Sequence, residues 1–244
     1  MWRIGVDEAG RGPVIGPLVV AAFSCPEEDL EILRQAGIKD SKDLSAKKRA
    51  ELYEWLRKES ITRGWDFHIH VSTPAAIDNA MQRSNLNLHE CELFALCCDN
   101  VIEGKEAGIL QLDACDINEV RFAENVCQRM KQWPIEGWRV TSEHKADSKY
   151  LEVAAASILA KETRDQEIEK LAKTKSMNLG SGYPSDPITR LAVRELIVDG
   201  IPDECLRWRW KTCENICMEL FGKSPPTRPK PDDGSPEPAQ RTLF

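Results

Sequence analysis

No apolar run in the 244 residues approaches the roughly 18–20 residues that a bilayer-spanning helix requires, which excludes a helical membrane protein. The N-terminus, MWRIGVDEAGRG, has no apolar stretch followed by a small-residue cleavage site, so no secretory signal is read and a cytoplasmic location is expected. Nine cysteines are an odd count, and they contain no C-x-x-C pair, which argues against a complete disulfide framework or a zinc ribbon. Cys97 and Cys98, within CELFALCC, instead read as reduced thiols packing like small hydrophobes. Basic charge is also in short supply: 33 Lys and Arg face 40 Asp and Glu, a formal net charge of −7, and nothing in that balance announces a nucleic-acid binder. What is present is an ordinary globular composition, 41% hydrophobic and 30% charged, on a chain long enough for one large domain.

Apolar, β-branched stretches stop at turn signals at 2–7, 17–25, 67–71, 108–113 and 138–141, and each reads as a strand. Helical patterns occupy 27–35, 46–59, 74–81, 87–103, 120–131, 150–173, 188–199 and 204–221. The order predicts a mixed α/β sheet wrapped by helices, with a helical C-terminal portion on the same core. After Gly222 the composition turns to KSPPTRPKPDDGSPEPAQRTLF, with six prolines in 22 residues. A segment so poor in large apolar side chains is expected to be an extended, disordered tail over 223–244, outside a domain spanning 1–222.

The strongest local signal is Asp7-Glu8-Ala9-Gly10-Arg11-Gly12-Pro13, directly after the first strand. Strand alternation would send Asp7 and Glu8 to opposite faces, so both serve one site only if the strand ends there, as the glycines suggest. Adjacent carboxylates before a glycine-rich turn offer oxygen ligands to a hard cation and free N–H groups to a phosphate or sugar; a polar turn with incidental acids is the plainer alternative. A second strand, GILQLDA, ends in Asp113, and Asp147 follows the strand WRVT just before a long helix, where it could also act as a cap. Four carboxylates brought together would repel one another unless cations lay between them, so the pattern predicts bound metal. With no matching His and Cys cluster, the donors point to Mg²⁺ or Mn²⁺.

DEAGRGP, Asp40-Ser41-Lys42, LDACDINEVRF, SEHKADSKY, AAASILAKETRD and Gly180-Ser181-Gly182-Tyr183-Pro184, in this order, resemble type 2 ribonuclease H, most closely its single-chain archaeal form. The resemblance runs from residue 4 to about residue 221. It implies an α/β ribonuclease H-like fold with a five-stranded mixed sheet flanked by helices and a helical C-terminal part from about residue 187. It also implies a monomeric endonuclease that cuts the RNA strand of RNA/DNA hybrids, and cuts 5′ to single ribonucleotides in duplex DNA. The mechanism implied is two-metal hydrolysis leaving a 3′-hydroxyl and a 5′-phosphate. The family's four metal-binding acids match Asp7, Glu8, Asp113 and Asp147, with Asp113 preferred to Asp116 because it ends the strand. Ribose sensing falls by resemblance to Gly10, Arg11, Gly12 and Tyr183, since the 2′-hydroxyl is what separates RNA from DNA at one site.

Lys42 and Arg164 are candidate phosphate contacts, Arg164 having helix acids as alternative partners. His144 is expected to hydrogen-bond near the site without a required role. In Arg207-Trp208-Arg209-Trp210-Lys211-Thr212, cations alternate with aromatics; packing is expected for Trp210 and peripheral backbone contacts for the cations. The final Gln240, Leu243 and Phe244 resemble the start of a sliding-clamp-binding peptide, which a flexible tether would suit. The acidic balance is itself local: residues 86–130 hold nine acids and three bases, and four of the chain's negatives, Asp113 within that stretch and Asp7, Glu8 and Asp147 outside it, would be metal ligands. Net charge is therefore a poor guide to what a metal-completed site binds. Two rival readings remain at this level, another metal-dependent nuclease or phosphatase of the same fold, and a catalytically silent clamp-tethered adaptor.

Overall fold

The computed structural model describes residues 1–229 and 241–243. Strand β1 (Trp2–Ala9) pairs antiparallel with β2 (Leu18–Pro26), and β2 with β3 (Asp66–Ser72). On its other side β1 runs parallel to β4 (Gly108–Asp113), and β4 parallel to β5 (Trp138–Glu143). The spatial order β5-β4-β1-β2-β3 is the five-stranded mixed sheet that the residue pattern predicts. β2 reads as an almost unbroken apolar run because helices cover both faces of the sheet there, leaving no solvent side to call for polar residues.

One face is covered by α6 (Leu151–Lys175), with α1 (Leu30–Ala36) and α2 (Ala46–Arg63) outside it. The small side chains of AAASILA let α6 press close to the sheet. At Gly5 a Cβ would lie 2.2 Å from the Glu152 carbonyl carbon, so helix and strand backbones meet there. The other face carries α4 (Leu86–Ile102) and α5 (Glu119–Cys127), packed through Phe94 and Phe122, whose rings meet edge to face. α3 (Pro74–Arg83) leads into α4. All nine cysteines are free thiols, eight of them buried, as the sequence suggests.

The C-terminal part departs from the expected pattern in three places. The helix expected over 188–199 is α7 (Pro187–Glu195), followed by a two-residue hairpin, β6 (Ile197–Val198) and β7 (Ile201–Pro202). Asp199 and Gly200 both take positive φ, the tight-turn geometry that ends the helix in spite of its apolar residues. The helix expected over 204–221 starts only at Lys211 (α8, Lys211–Phe221). Residues 204–210 stay irregular because Leu206 and Trp208 are drawn into a third apolar cluster with Val14, Ile15 and Val193, while the Arg207 N–H bonds Val14 O at 2.9 Å.

The third departure concerns the tail, expected to leave the body after Gly222. Residues 223–229 instead return along it, and Arg228 is buried with Nε 3.0 Å from Asp78 Oδ2. A count of apolar side chains misses such docking, since a guanidinium is doing the anchoring. Further on, the backbone of Arg241–Leu243 (β8) pairs antiparallel with the outer edge of β3, adding a sixth strand to the sheet. Gln240 and Phe244 lie outside the described residues.

Candidate active site

β1 does not stop at Asp7, as expected, but continues to Ala9, with Asp7 opposite Ala21 and Glu8 opposite Val20 of β2. The two acids still reach one place, and the β4 side explains why. The parallel register ends at Val6↔Leu112, so the next residues, Asp7 and Asp113, stand beside each other where the two backbones no longer pair. Carboxylate oxygens of Asp7, Glu8 and Asp113 lie within 4.8 Å of one another. Asp147, buried in the short 3₁₀ turn Ala146–Ser148 before α6, adds its charge to those of Asp7 and Asp113 from just outside that group.

Packing these acids together costs free energy, and their protonation reflects it. Burial, then Glu8 and Asp113, push the Asp7 carboxyl well above its usual range, although Ser157 hydrogen-bonds it. Asp113 rises to about 6 from burial and Glu8, although its Oδ1 accepts from Ala146 N at 2.7 Å. Glu8 Oε2 is buried without a hydrogen-bond partner among the described residues. An all-oxygen donor set with an unpartnered oxygen and mutual repulsion fits a hard divalent cation, with Asp7, Glu8 and Asp113 as holders and Asp147 alongside. Asp116 is occupied elsewhere: both its oxygens accept from Arg121.

Lys42 comes from the turn Ser41–Asp43, whose N-cap Asp40 accepts from Lys42 N. Its ammonium lies 3.2 Å from Asp147 Oδ2 and is otherwise exposed, a cation at the rim of the acid cluster. Ser41 Oγ meets Ser157 Oγ at 2.9 Å in the interior, so the Asp-Ser-Lys turn is tied to the serine that serves Asp7. His144 is engaged by Glu119 and Ile117 O and makes no hydrogen bond to the carboxylates.

The two glycine turns form the other wall. Gly10 has φ 89°, and a Cβ there would sit 2.6 Å from Pro17 O, so only glycine serves. Gly182 has φ 82° and its carbonyl accepts from Val14 N at 2.8 Å, which ties the second turn to the first. Tyr183, partly exposed, lies against Gly12, where an added Cβ would be 3.5 Å from its ring. Arg164 is not at the surface awaiting a phosphate. It is buried beneath both turns, donates to Ser181 O at 2.7 Å, and stacks 5.4 Å from the Tyr183 ring centroid, so its role here is support.

Two contributors, Asn87 and Glu90, are absent from the residues singled out by pattern. The Arg11 side chain is clasped by α4: Nη2 donates to Asn87 Oδ1 at 2.7 Å and Nε to Glu90 Oε2 at 3.0 Å. Glu90 is wholly buried, and burial followed by the neighbouring Glu8 pushes its carboxyl up to about 8. An acid inside the apolar helix LHECELFALCC is the one signal that could have marked it. Arg207, expected at the periphery, is fully buried. It donates to Gly16 O at 3.0 Å, Arg11 O at 2.8 Å and Gly10 O, and lies over Trp210, whose Nε1 reaches Gly12 O at 3.1 Å. Burial, with Arg164 nearby, lowers its pKa to about 9, which leaves it charged at neutral pH. Arg209 is exposed, as is Lys211, in keeping with the peripheral positions expected of them.

Sheet order, flanking helices and a carboxylate cluster at the β1–β4 junction define a nuclease of the ribonuclease H-like fold. The structure of ribonuclease H2 from Pyrococcus horikoshii OT3 matches with a TM-score of 0.76 and 38% identity, covering 90% of this chain and 98% of that one. The RNase HII in a complex with PCNA from Archaeoglobus fulgidus matches with a TM-score of 0.71 and 40% identity, covering 87% and 95%. Ribonuclease HII of Thermococcus sibiricus is 43% identical over 217 residues, 88% of this chain and 91% of that protein. The family model for ribonuclease HII matches residues 4–213, and the chain belongs to the ribonuclease HII family. It is a hydrolase acting on RNA in RNA/DNA hybrids, and dependence on divalent metal is general for the family. No helix among the described residues is long and apolar enough to cross a membrane.

Proposed function

We propose that this enzyme cuts 5′ to single ribonucleotides embedded in duplex DNA as well as within longer hybrids, leaving a 3′-hydroxyl and a 5′-phosphate. The observation that carries the reading is the lodging of the Gly10–Gly12 turn against Tyr183 beside the carboxylate cluster. Held from below by Arg207, the turn exposes main chain that can approach a ribose closely enough to hydrogen-bond its 2′-hydroxyl. Tyr183, with its ring backed by Arg164, is suited to stack on the following sugar and disfavour a second hydroxyl. Lys42 is free to exchange Asp147 for a backbone phosphate, which fixes register without reading sequence.

Asp7, Glu8, Asp113 and Asp147 are assigned as the catalytic carboxylates that hold two Mg²⁺ or Mn²⁺ ions. When bound, such ions lower the pKa of the attacking water and stabilise the departing 3′ oxygen. The chain's own part is to fix the carboxylates and hold the sugar in register. The test compares cleavage of otherwise identical duplexes with and without one ribonucleotide, run with each metal. Cutting only at the ribonucleotide is expected, and equal cutting of all-DNA would refute the assignment. Complete loss of activity in a folded Asp7→Asn protein excludes the adaptor reading.

The tail residues Gln240, Leu243 and Phe244 are assigned to a sliding clamp, a reading supported by the PCNA complex formed by the Archaeoglobus fulgidus relative. A tether raises local concentration where global charge contributes little. Deleting residues 240–244 is expected to abolish clamp association in a pull-down while hydrolysis of short duplexes persists; unchanged clamp affinity would sink the idea.

A further inference from the structure

The segment 204–210 holds the Gly10–Gly12 turn through Arg207 and Trp210, and it is itself held by a residue from beyond α8. Asp78, wholly buried on α3, accepts from Trp208 N at 2.9 Å and Arg209 N at 3.2 Å, the two residues that follow Arg207. Arg228 completes the arrangement. Its Nε donates to Asp78 Oδ2 at 3.0 Å and its Nη2 to Leu206 O at 2.6 Å and Glu204 O at 3.4 Å, while its guanidinium lies 4.4 Å from the Trp208 ring centroid. One side chain thus grips the chain on both sides of Arg207. Remove it, and the buried Asp78 charge keeps two neutral N–H donors while the guanidinium's bond to Leu206 O is lost.

We infer that Arg228 is a positioning residue for substrate recognition: the stretch after α8 is a strap that locks 204–210, and through Arg207 and Trp210 sets the turn that meets the ribose. This rests on the reading of that turn proposed above. The chain at Arg228 thus supports the substrate site from behind through 204–210, and a tether to any partner starts only beyond Arg228. Arg228 hydrogen-bonds none of the four carboxylates, so its loss should be felt in recognition of the sugar and not in the chemical step.

The experiment uses the full-length protein with Mn²⁺, assayed well below each variant's melting temperature. kcat and KM are measured on a duplex containing one ribonucleotide and on an RNA/DNA hybrid, where many ribose contacts dilute the effect of one misplaced turn. Arg228→Ala is expected to raise KM for the single-ribonucleotide duplex by about five- to tenfold, with kcat changed less than about twofold and the hybrid affected less. Arg228→Lys should recover part of this, because an ammonium can pair with Asp78 but cannot also span two carbonyls and stack on Trp208. Lys223→Ala, which removes an exposed cation of the same strap, should match the wild type. If the alanine protein does not fold, Arg228→Gln carries the same comparison. A wild-type KM in a folded Arg228→Ala or Arg228→Gln protein overturns the strap, as does an equal fall in kcat on both substrates that follows lost folded fraction. A wild-type enzyme that fails to cut the single-ribonucleotide duplex overturns the reading of the turn, and the strap's role with it.

Discussion

Replacing Asp113 by Asn should make the metal-free protein more stable while destroying its activity. The carboxyl titrates in the folded state at about 6, against a usual 3.8, because it is buried and faces Glu8. A pKa raised by folding means that the folded state carries a penalty when the group ionises. That penalty is absent below 3.8, grows between 3.8 and 6, and is fully present above 6. A difference of about 2 pH units corresponds to about 3 kcal/mol, and solvent screening at this partly exposed site brings the expectation to about 1–3 kcal/mol. Asn is isosteric and keeps an oxygen to accept from Ala146 N, so little packing is lost in return. At this chain length the gain amounts to a rise in Tm of roughly 3–10 °C. The assay is thermal unfolding in a chelator at pH 8 and again near pH 4, beside the wild type. The gap should be large at pH 8 and nearly closed near pH 4. An Asn protein that melts lower than the wild type at pH 8, or a gap independent of pH, would refute the reasoning.

The same repulsion predicts that Mg²⁺ or Mn²⁺ raises the wild-type Tm in a concentration-dependent way, and that Asp7→Asn loses most of this response; an equal response in both proteins would place the ion elsewhere. Arg207→Met leaves the carbonyls of Gly10, Arg11 and Gly16 without their buried donor and should cost about 3–5 kcal/mol, read from denaturant unfolding. His70 has both ring nitrogens buried without hydrogen-bond partners among the described residues, and burial lowers its pKa to about 4, against 6.5 when unfolded. Its contribution is intact above pH 6.5 and falls as the unfolded chain takes up the proton, reaching a loss of about 2 kcal/mol at pH 5. His70→Leu should therefore gain about 2 kcal/mol on the wild type between pH 8 and pH 5, and the absence of any pH-dependent difference would contradict the assignment.

Much of the site could be read along the chain because its parts sit at element ends, where polar residues interrupt apolar runs. Asp7, Asp113 and Asp147 each follow such a run, and the Gly10 and Gly182 turns carry residues that a positive φ demands. What could not be read was which polar residues stand behind these. Asn87 and Glu90 sit three residues apart on a helix whose sequence says only that it is buried, and their partner Arg11 comes from a distant turn. Arg164 and Arg207 look like surface cations in a charged helix and an aromatic-basic run, yet each is buried under a glycine turn. Composition also misjudged the start of the tail, since a single guanidinium docking on Asp78 leaves no trace in an apolar count.

The shortfall of basic against acidic charge therefore has a physical resolution that begins in the sequence and finishes in the fold. Strand periodicity, small residues for the helix that presses on Gly5, and acids at strand ends are local properties, set by side-chain size and alternation, and they mark the strands and the carboxylates without reference to distant neighbours. The side on which a buried cation finds its acceptors depends on which backbones are brought together. It took the β1–β4 register to set Asp7 beside Asp113, the crossing of α6 under two turns to bury Arg164, and the return of the chain after α8 to place Arg228 on Asp78.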